Sequence, residues 1–261
     1  MNELTKEERK TLEGIERAYY MQPIVRRINK WVAQYGSEPK TSWVKVLDQL
    51  HDILRNSQSD IEKLLDIRIE EGIISDKAQS RKSIAGNAFS NSLIYIFLQN
   101  KIYENIPSNI YMTSHKSKIP RFAESIIVKI ADETQKPDMD IVIYSKDGNS
   151  CPSKYILLSL KTSLRERAAQ TYKWKLLMEV ALYSPELRNK YDISYNSQIT
   201  PIICFATTNF YNEINNPQQR GMLKFFDRAF IAKDLGLQVE SFIYPVSNLI
   251  PFVIEQLSSG S

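Results

Sequence analysis

Apolar positions in the first eighty residues fall at helical spacing, whereas beyond residue 120 they gather into short continuous runs. Leu12, Ile15, Tyr19 and Tyr20 follow the polar lead Thr5-Lys6-Glu7-Glu8. A threonine with a glutamate three places on is the pattern of a capping box, so a helix should open at Thr5 and end before Pro23. A second run holds Ile24, Ile28, Trp31, Val32 and Tyr35 and stops at Gly36. A third is expected to begin at Thr41-Ser42 and to carry Val44, Leu47, Leu50 and Leu54; a fourth, from about Ser59, carries Ile61, Leu64, Leu65, Ile67 and Ile69. Lys77 to Lys101 predicts one more helix, behind the polar lead Ser80 to Ser83. Strands are then expected at Ser125 to Ala131, Ile141 to Tyr144, Tyr155 to Leu160, Ile199 to Thr207 and Gln238 to Tyr244, with a closing helix at Leu249 to Leu257.

The two central strands are joined by Lys146, Asp147, Gly148, Asn149 and Ser150, a composition that turns the chain back on itself. They should pair as an antiparallel hairpin, which sets the start of the first beside the end of the second. Asp138 and Lys161 then meet at one edge of the sheet. Helices mixed with strands in this order predict an α/β fold with a mixed central sheet flanked by helices, plus an N-terminal helical lobe over 1–78. The main unit should run from 79 to 257, and the small polar tail 258–261 should be flexible.

Composition narrows the classes. At 261 residues the chain can bury a full core. Its net charge of +4 permits a polyanionic partner without requiring one. Two cysteines, Cys151 and Cys204, and two histidines, His51 and His115, are too few and too scattered for a disulfide framework or a zinc site. No apolar stretch reaches membrane-spanning length and no secretory segment opens the chain, so a cytoplasmic location with no membrane partner is expected. Neither internal repeats nor low-complexity tracts occur.

A carboxylate and an ammonium held together at a sheet edge suit phosphodiester hydrolysis. The acid binds a divalent ion and the lysine steadies or deprotonates the attacking water beside a charged phosphate. Pro137-Asp138 followed by Ser159-Leu160-Lys161 resembles the PD-(D/E)XK nuclease signature, in the form where serine replaces the acid two places before the lysine. The sequel Thr162 to Arg167 resembles the segment with which type II restriction endonucleases of the CCGG-reading group enter the major groove. The resemblance covers roughly positions 85 to 185. It implies a restriction-endonuclease-like core, Mg²⁺ as cofactor, double-stranded DNA as substrate, a homodimer, and a cognate DNA methyltransferase that protects the host. The helical lobe would dimerise or flank DNA.

On this reading Asp138 is a catalytic metal ligand and Lys161 the catalytic lysine. The third carboxylate is not evident. Ser90 stands where a helical glutamate is usual in this class, with Glu104 and Glu124 as nearby acids. Lys173, Trp174 and Lys175 occupy the place of the acid on the helix after the lysine. Glu179 is the first acid further down, so it is assigned to catalysis and metal binding, against the alternative of an ion pair with Lys175 four residues back. Asp140 shares the face of Asp138 and is either a second ligand or an exposed strand-end acid; Ser159 is a small residue at a crowded site.

Arg165, Glu166 and Arg167 are assigned to DNA binding. Arginine donates twice to guanine O6 and N7, and a carboxylate accepts from cytosine N4, which matches adjacent G·C pairs. The competing account makes Glu166 the second half of a Ser163–Glu166 capping box and the arginines a solvated helix start. Two further classes stay open: a sequence-nonspecific repair or transposition nuclease on the same fold, and a DNA-binding module that has lost catalysis.

Overall fold

The computed structural model describes residues 2–36, 38–146, 148, 151–210, 212–233 and 242–258, with only the backbone described for 165–170. Helices α1 (Lys6–Arg17), α2 (Gln22–Gln34), α3 (Pro39–Lys45) and α4 (Leu50–Glu70) come first. The capping box at Thr5 is present: its hydroxyl accepts from the Glu8 amide at 3.2 Å and the Glu8 carboxylate accepts from the Thr5 amide at 2.9 Å. The third expected run divides differently from its pattern. α3 starts two residues earlier, at Pro39, where a fixed φ suits a first turn, and a 3-10 turn over Val46–Gln49 then separates it from α4. α4 continues unbroken through Ser59, so the third and fourth runs share that helix.

The long helix α5 (Lys77–Ile102) is capped by Asp76, whose carboxylate accepts from the Gln79 amide at 2.9 Å. After it come β1 (Ile110–Thr113), β2 (Val128–Ile130), β3 (Glu133–Gln135), β4 (Ile141–Ser145), β5 (Tyr155–Lys161), α6 (Arg165–Tyr183), α7 (Pro185–Tyr191), β6 (Ile193–Ser194), β7 (Ile202–Thr207), α8 (Pro217–Gly221), β8 (Arg228–Ile231), β9 (Ile243–Pro245) and α9 (Leu249–Ser258).

Among the described residues the main sheet has the order β1-β4-β5-β7-β8-β9. β1, β4 and β5 run antiparallel to their neighbours, and β5, β7, β8 and β9 run parallel. This is the expected mixed sheet flanked by helices. Two expectations change. The strand read at Ser125 to Ala131 shortens to β2 and leaves the main sheet, pairing with β3 and β6 in a small sheet of its own. The neighbour of β4 is instead β1, four residues too short to stand out in the pattern. Of the strand read at Gln238 to Tyr244, positions 238–241 lie outside the described residues, and β9 occupies Ile243–Pro245.

Alternate residues of each strand fill separate cores on the two faces of the sheet. Ile141, Ile143, Ile156, Leu158, Cys204 and Phe230 pack against α2, α4, α5 and α9, in one cluster that reaches Leu4 in the N-terminal region. Val142, Leu157, Ile203, Phe205 and Ala229 pack against Trp174, Met178 and Ala181 of α6. Burial on both faces explains why β5 reads as a continuous apolar run rather than an alternating one.

Candidate active site

The β4–β5 register brings the proposed site together. Ile141 faces Leu158 and Tyr144 faces Tyr155, and the Asp140 amide carries the ladder one step further by donating to Leu158 O at 3.1 Å. Extended toward the N-terminal end of β4, the same register sets Asp140 opposite Ser159 and Asp138 opposite Lys161. Lys161 Nζ lies 3.1 Å from Asp138 Oδ2 and 3.3 Å from Asp140 Oδ2. The lysine side chain is 10% exposed, whereas Asp138 is 51% exposed, so the ammonium is sheltered and the carboxylate faces outward.

Asp140 has a second duty. Its Oδ2 accepts from the Leu160 amide at 2.6 Å, which ties the segment before β4 to the end of β5. The backbone between the two acids is held as well, because Lys116 Nζ donates to Met139 O. Behind Lys161, Ser159 is buried, and its hydroxyl meets that of Thr171 on α6 at 3.1 Å. A neutral hydroxyl pair therefore stands where a carboxylate would make a third acid.

Glu179 is placed elsewhere. Its carboxylate meets Lys175 Nζ at 2.7 Å, and the same ammonium lies 2.9 Å from Asp227 Oδ1. Asp227 is bound in turn to the Ile203 amide, and Ile203 pairs with Leu157, four residues back along β5 from Lys161. At about 3.3 Å per residue that is roughly 13 Å along the strand from the catalytic edge. α6 runs back along β5, so an acid at its far end follows the helix away from Asp138. Glu104 pairs with Lys40, and Glu124 with Arg121. Among the described side chains, Asp138 and Asp140 are thus the two carboxylates at this edge. Among the described residues no group of three or more His, Cys, Asp or Glu is placed to hold an ion. A pair of carboxylates suits a hard cation such as Mg²⁺, which commonly keeps waters and takes one or two protein carboxylates plus substrate phosphate.

Arg165, Glu166 and Arg167 form the first turn of α6, just past Lys161; their side chains lie outside the described residues. The helix start is held by a residue that pattern reading missed. Glu213 accepts from Ser163 Oγ at 2.8 Å and from the Leu164 amide at 2.6 Å. A carboxylate there complements the positive end of the helix dipole. Glu213 lies fifty positions from Ser163, so no local spacing announces it.

No curated protein matches this chain. Among solved structures it is similar to the restriction endonuclease PspGI in complex with its substrate DNA, with 17% identity, coverage of 96% of this chain and 93% of that one, and a TM-score of 0.49. The BsaWI restriction endonuclease type 2 family matches residues 114–252. That span takes in β4, β5, the Asp138–Lys161 edge and α6, and it exceeds half of the chain, which therefore belongs to the BsaWI family of type II restriction endonucleases.

Proposed function

We propose that this endonuclease cuts both strands of a short palindromic duplex with a CCGG core in a Mg²⁺-dependent reaction. The contact of Lys161 with Asp138 at the solvent-facing sheet edge is the observation that carries the chemistry. Asp138 and Asp140 would hold the cation, which when bound polarises the scissile phosphate and lowers the charge barrier to attack. Lys161 would orient the attacking water and stabilise charge developing on the phosphoryl oxygens. The exposed carboxylate of Asp138 would leave a cation and the phosphate it binds a route in, and the sheltered ammonium would keep its position while they enter. Glu179 would serve stability through Lys175 rather than chemistry.

Arg165, Glu166 and Arg167 would read the core bases from the start of α6, with Glu213 fixing the direction of that helix. A two-fold symmetric site calls for a symmetric reader, so a homodimer is expected, with the helical region 1–78 dimerising or flanking DNA outside the 79–257 unit. A DNA methyltransferase of the same specificity would protect the host, and both enzymes would act in the cytoplasm. Among the described residues no helix is long and apolar enough to cross a membrane.

Glu166→Gln tests the base-reading assignment. If the carboxylate accepts from cytosine N4, the variant loses discrimination at that pair by about 1–3 kcal/mol while its Tm stays within a degree or two. A fall in Tm with discrimination intact, measured on duplexes with single substitutions in the core, would make Glu166 a helix cap only.

A further inference from the structure

A cleft of about 540 Å³ opens between α1, α5 and the turn that follows β1. Lys6, Lys10, His115 and Lys118 rim it, with Glu7 as the acid among them. Lys6 and Lys10 stand one helical turn apart on α1, both exposed, and among the described residues neither has a carboxylate partner. Lys118 meets Glu7 only at 3.9 Å, between side chains 55% and 76% exposed, a geometry that contributes little. Three lysines therefore gather around a concavity in which Glu7 is the one acid among the described lining residues, an excess of positive charge that an anionic partner entering the cleft would offset.

The position of the cleft names the partner. Ser114, His115 and Lys118, on one short turn, line it. Lys116 of that turn donates to Met139 O, between Asp138 and Asp140. The turn also continues β1, whose Thr113 pairs with Val142 two residues beyond Asp140. The turn that carries Lys118 is thus fastened to the edge where the scissile phosphate would sit. A duplex placed with that phosphate at Lys161 must continue its backbone past the edge, and the neighbouring cleft is lined by lysines together with Thr11 and Ser114.

We infer that this cleft grips the DNA sugar–phosphate backbone beside the scissile bond, with Lys6, Lys10 and Lys118 on phosphates; the inference rests on the Asp138–Lys161 edge being the cleavage site. The grip is sequence-independent, since contacts to phosphate carry no base information. It makes α1 a DNA-flanking element.

The test is the salt dependence of binding, in EDTA, for the full chain and the triple variant Lys6→Gln/Lys10→Gln/Lys118→Gln, on a duplex containing CCGG and on one of equal length without it. Removing one lysine–phosphate pair should reduce the slope of log K against log salt by about 0.9, so the triple variant should be shallower by about 2–3 on both duplexes. Glu7→Gln, which removes the competing anion, should bind both duplexes more tightly, and it decides the matter if the triple variant does not fold. Unchanged slope and affinity in a folded triple variant, or, where that variant does not fold, no gain with Glu7→Gln, would overturn the inference. If wild type cuts no CCGG site but the slopes fall as stated, the specificity reading fails and the cleft assignment stands. Cleavage at CCGG with unchanged slopes would sink the cleft assignment and leave the specificity reading standing.

Discussion

Lys161→Ala should lose cleavage by roughly 10²–10⁴-fold while keeping duplex affinity within a few-fold, because positioned proton-transfer and charge-stabilising groups have effects of that size. The ammonium contacts two carboxylates at 3.1 and 3.3 Å, so its removal also leaves Asp138 and Asp140 side by side without a cation. Asp138 is half exposed, so solvent screens much of that repulsion and the stability cost should stay near 1 kcal/mol. Single-turnover cleavage of a short duplex, read beside equilibrium binding, separates the two quantities. A rate within five-fold of wild type would remove Lys161 from the chemistry. A parallel collapse of affinity and Tm would make the residue structural.

A second large effect is expected where α1, α5 and β1 meet. Lys101 is 1% exposed and its ammonium meets Glu8 Oε1 at 2.5 Å, donates to Ile110 O at 2.9 Å and lies 4.1 Å from the Tyr111 ring centroid. The pair fastens α1 to α5 and to β1. Burial holds the Lys101 pKa below the usual lysine value, and Glu8 opposes that shift. Glu8→Ala leaves the ammonium buried without its anion and also removes the capping box, a loss of about 3–5 kcal/mol and a fall in Tm on the order of 10 °C. The folded variant should shed the Lys101 proton at lower pH than the unfolded chain. Between those two pKa values the unfolded state binds more protons, so the deficit should shrink as pH rises toward the lysine range. Glu8→Leu combined with Lys101→Met should recover most of the loss. A deficit under 1 kcal/mol, or one that does not change with pH, would mean that the ammonium reaches solvent.

How much of the fold and site is legible in the chain depends on whether the determining contacts are local. The hairpin is readable because β4 and β5 are apolar runs joined by a turn-forming loop, and antiparallel pairing across that loop places Asp138 beside Lys161. The capping box at Thr5 is local for the same reason. β1 and β8 are not readable: IYMT and RAFI are too short to carry a period, and only pairing with β4 and β7 makes them strands. α4 runs through the polar stretch around Ser57 to Asp60, where Ser57 is buried with its hydroxyl turned back to Ile53 O, so polarity there marks no boundary. Glu179 shows the limit most clearly. Its i,i+4 pairing with Lys175 is visible as an alternative, but Asp227, which anchors that lysine at the opposite end of the strands, comes from another part of the chain. Glu213 at the start of α6 is hidden for the same reason.

Site-specific, metal-dependent cleavage is checked by digesting an unmethylated plasmid of known sequence with the purified protein, in Mg²⁺ and in EDTA, and sequencing the ends. Discrete fragments whose ends all fall at sites with a CCGG core are expected, with an intact plasmid in EDTA. Discrete ends at sites lacking CCGG would contradict the specificity assigned to Arg165, Glu166 and Arg167. Cleavage undiminished in EDTA would contradict the role given to Asp138 and Asp140.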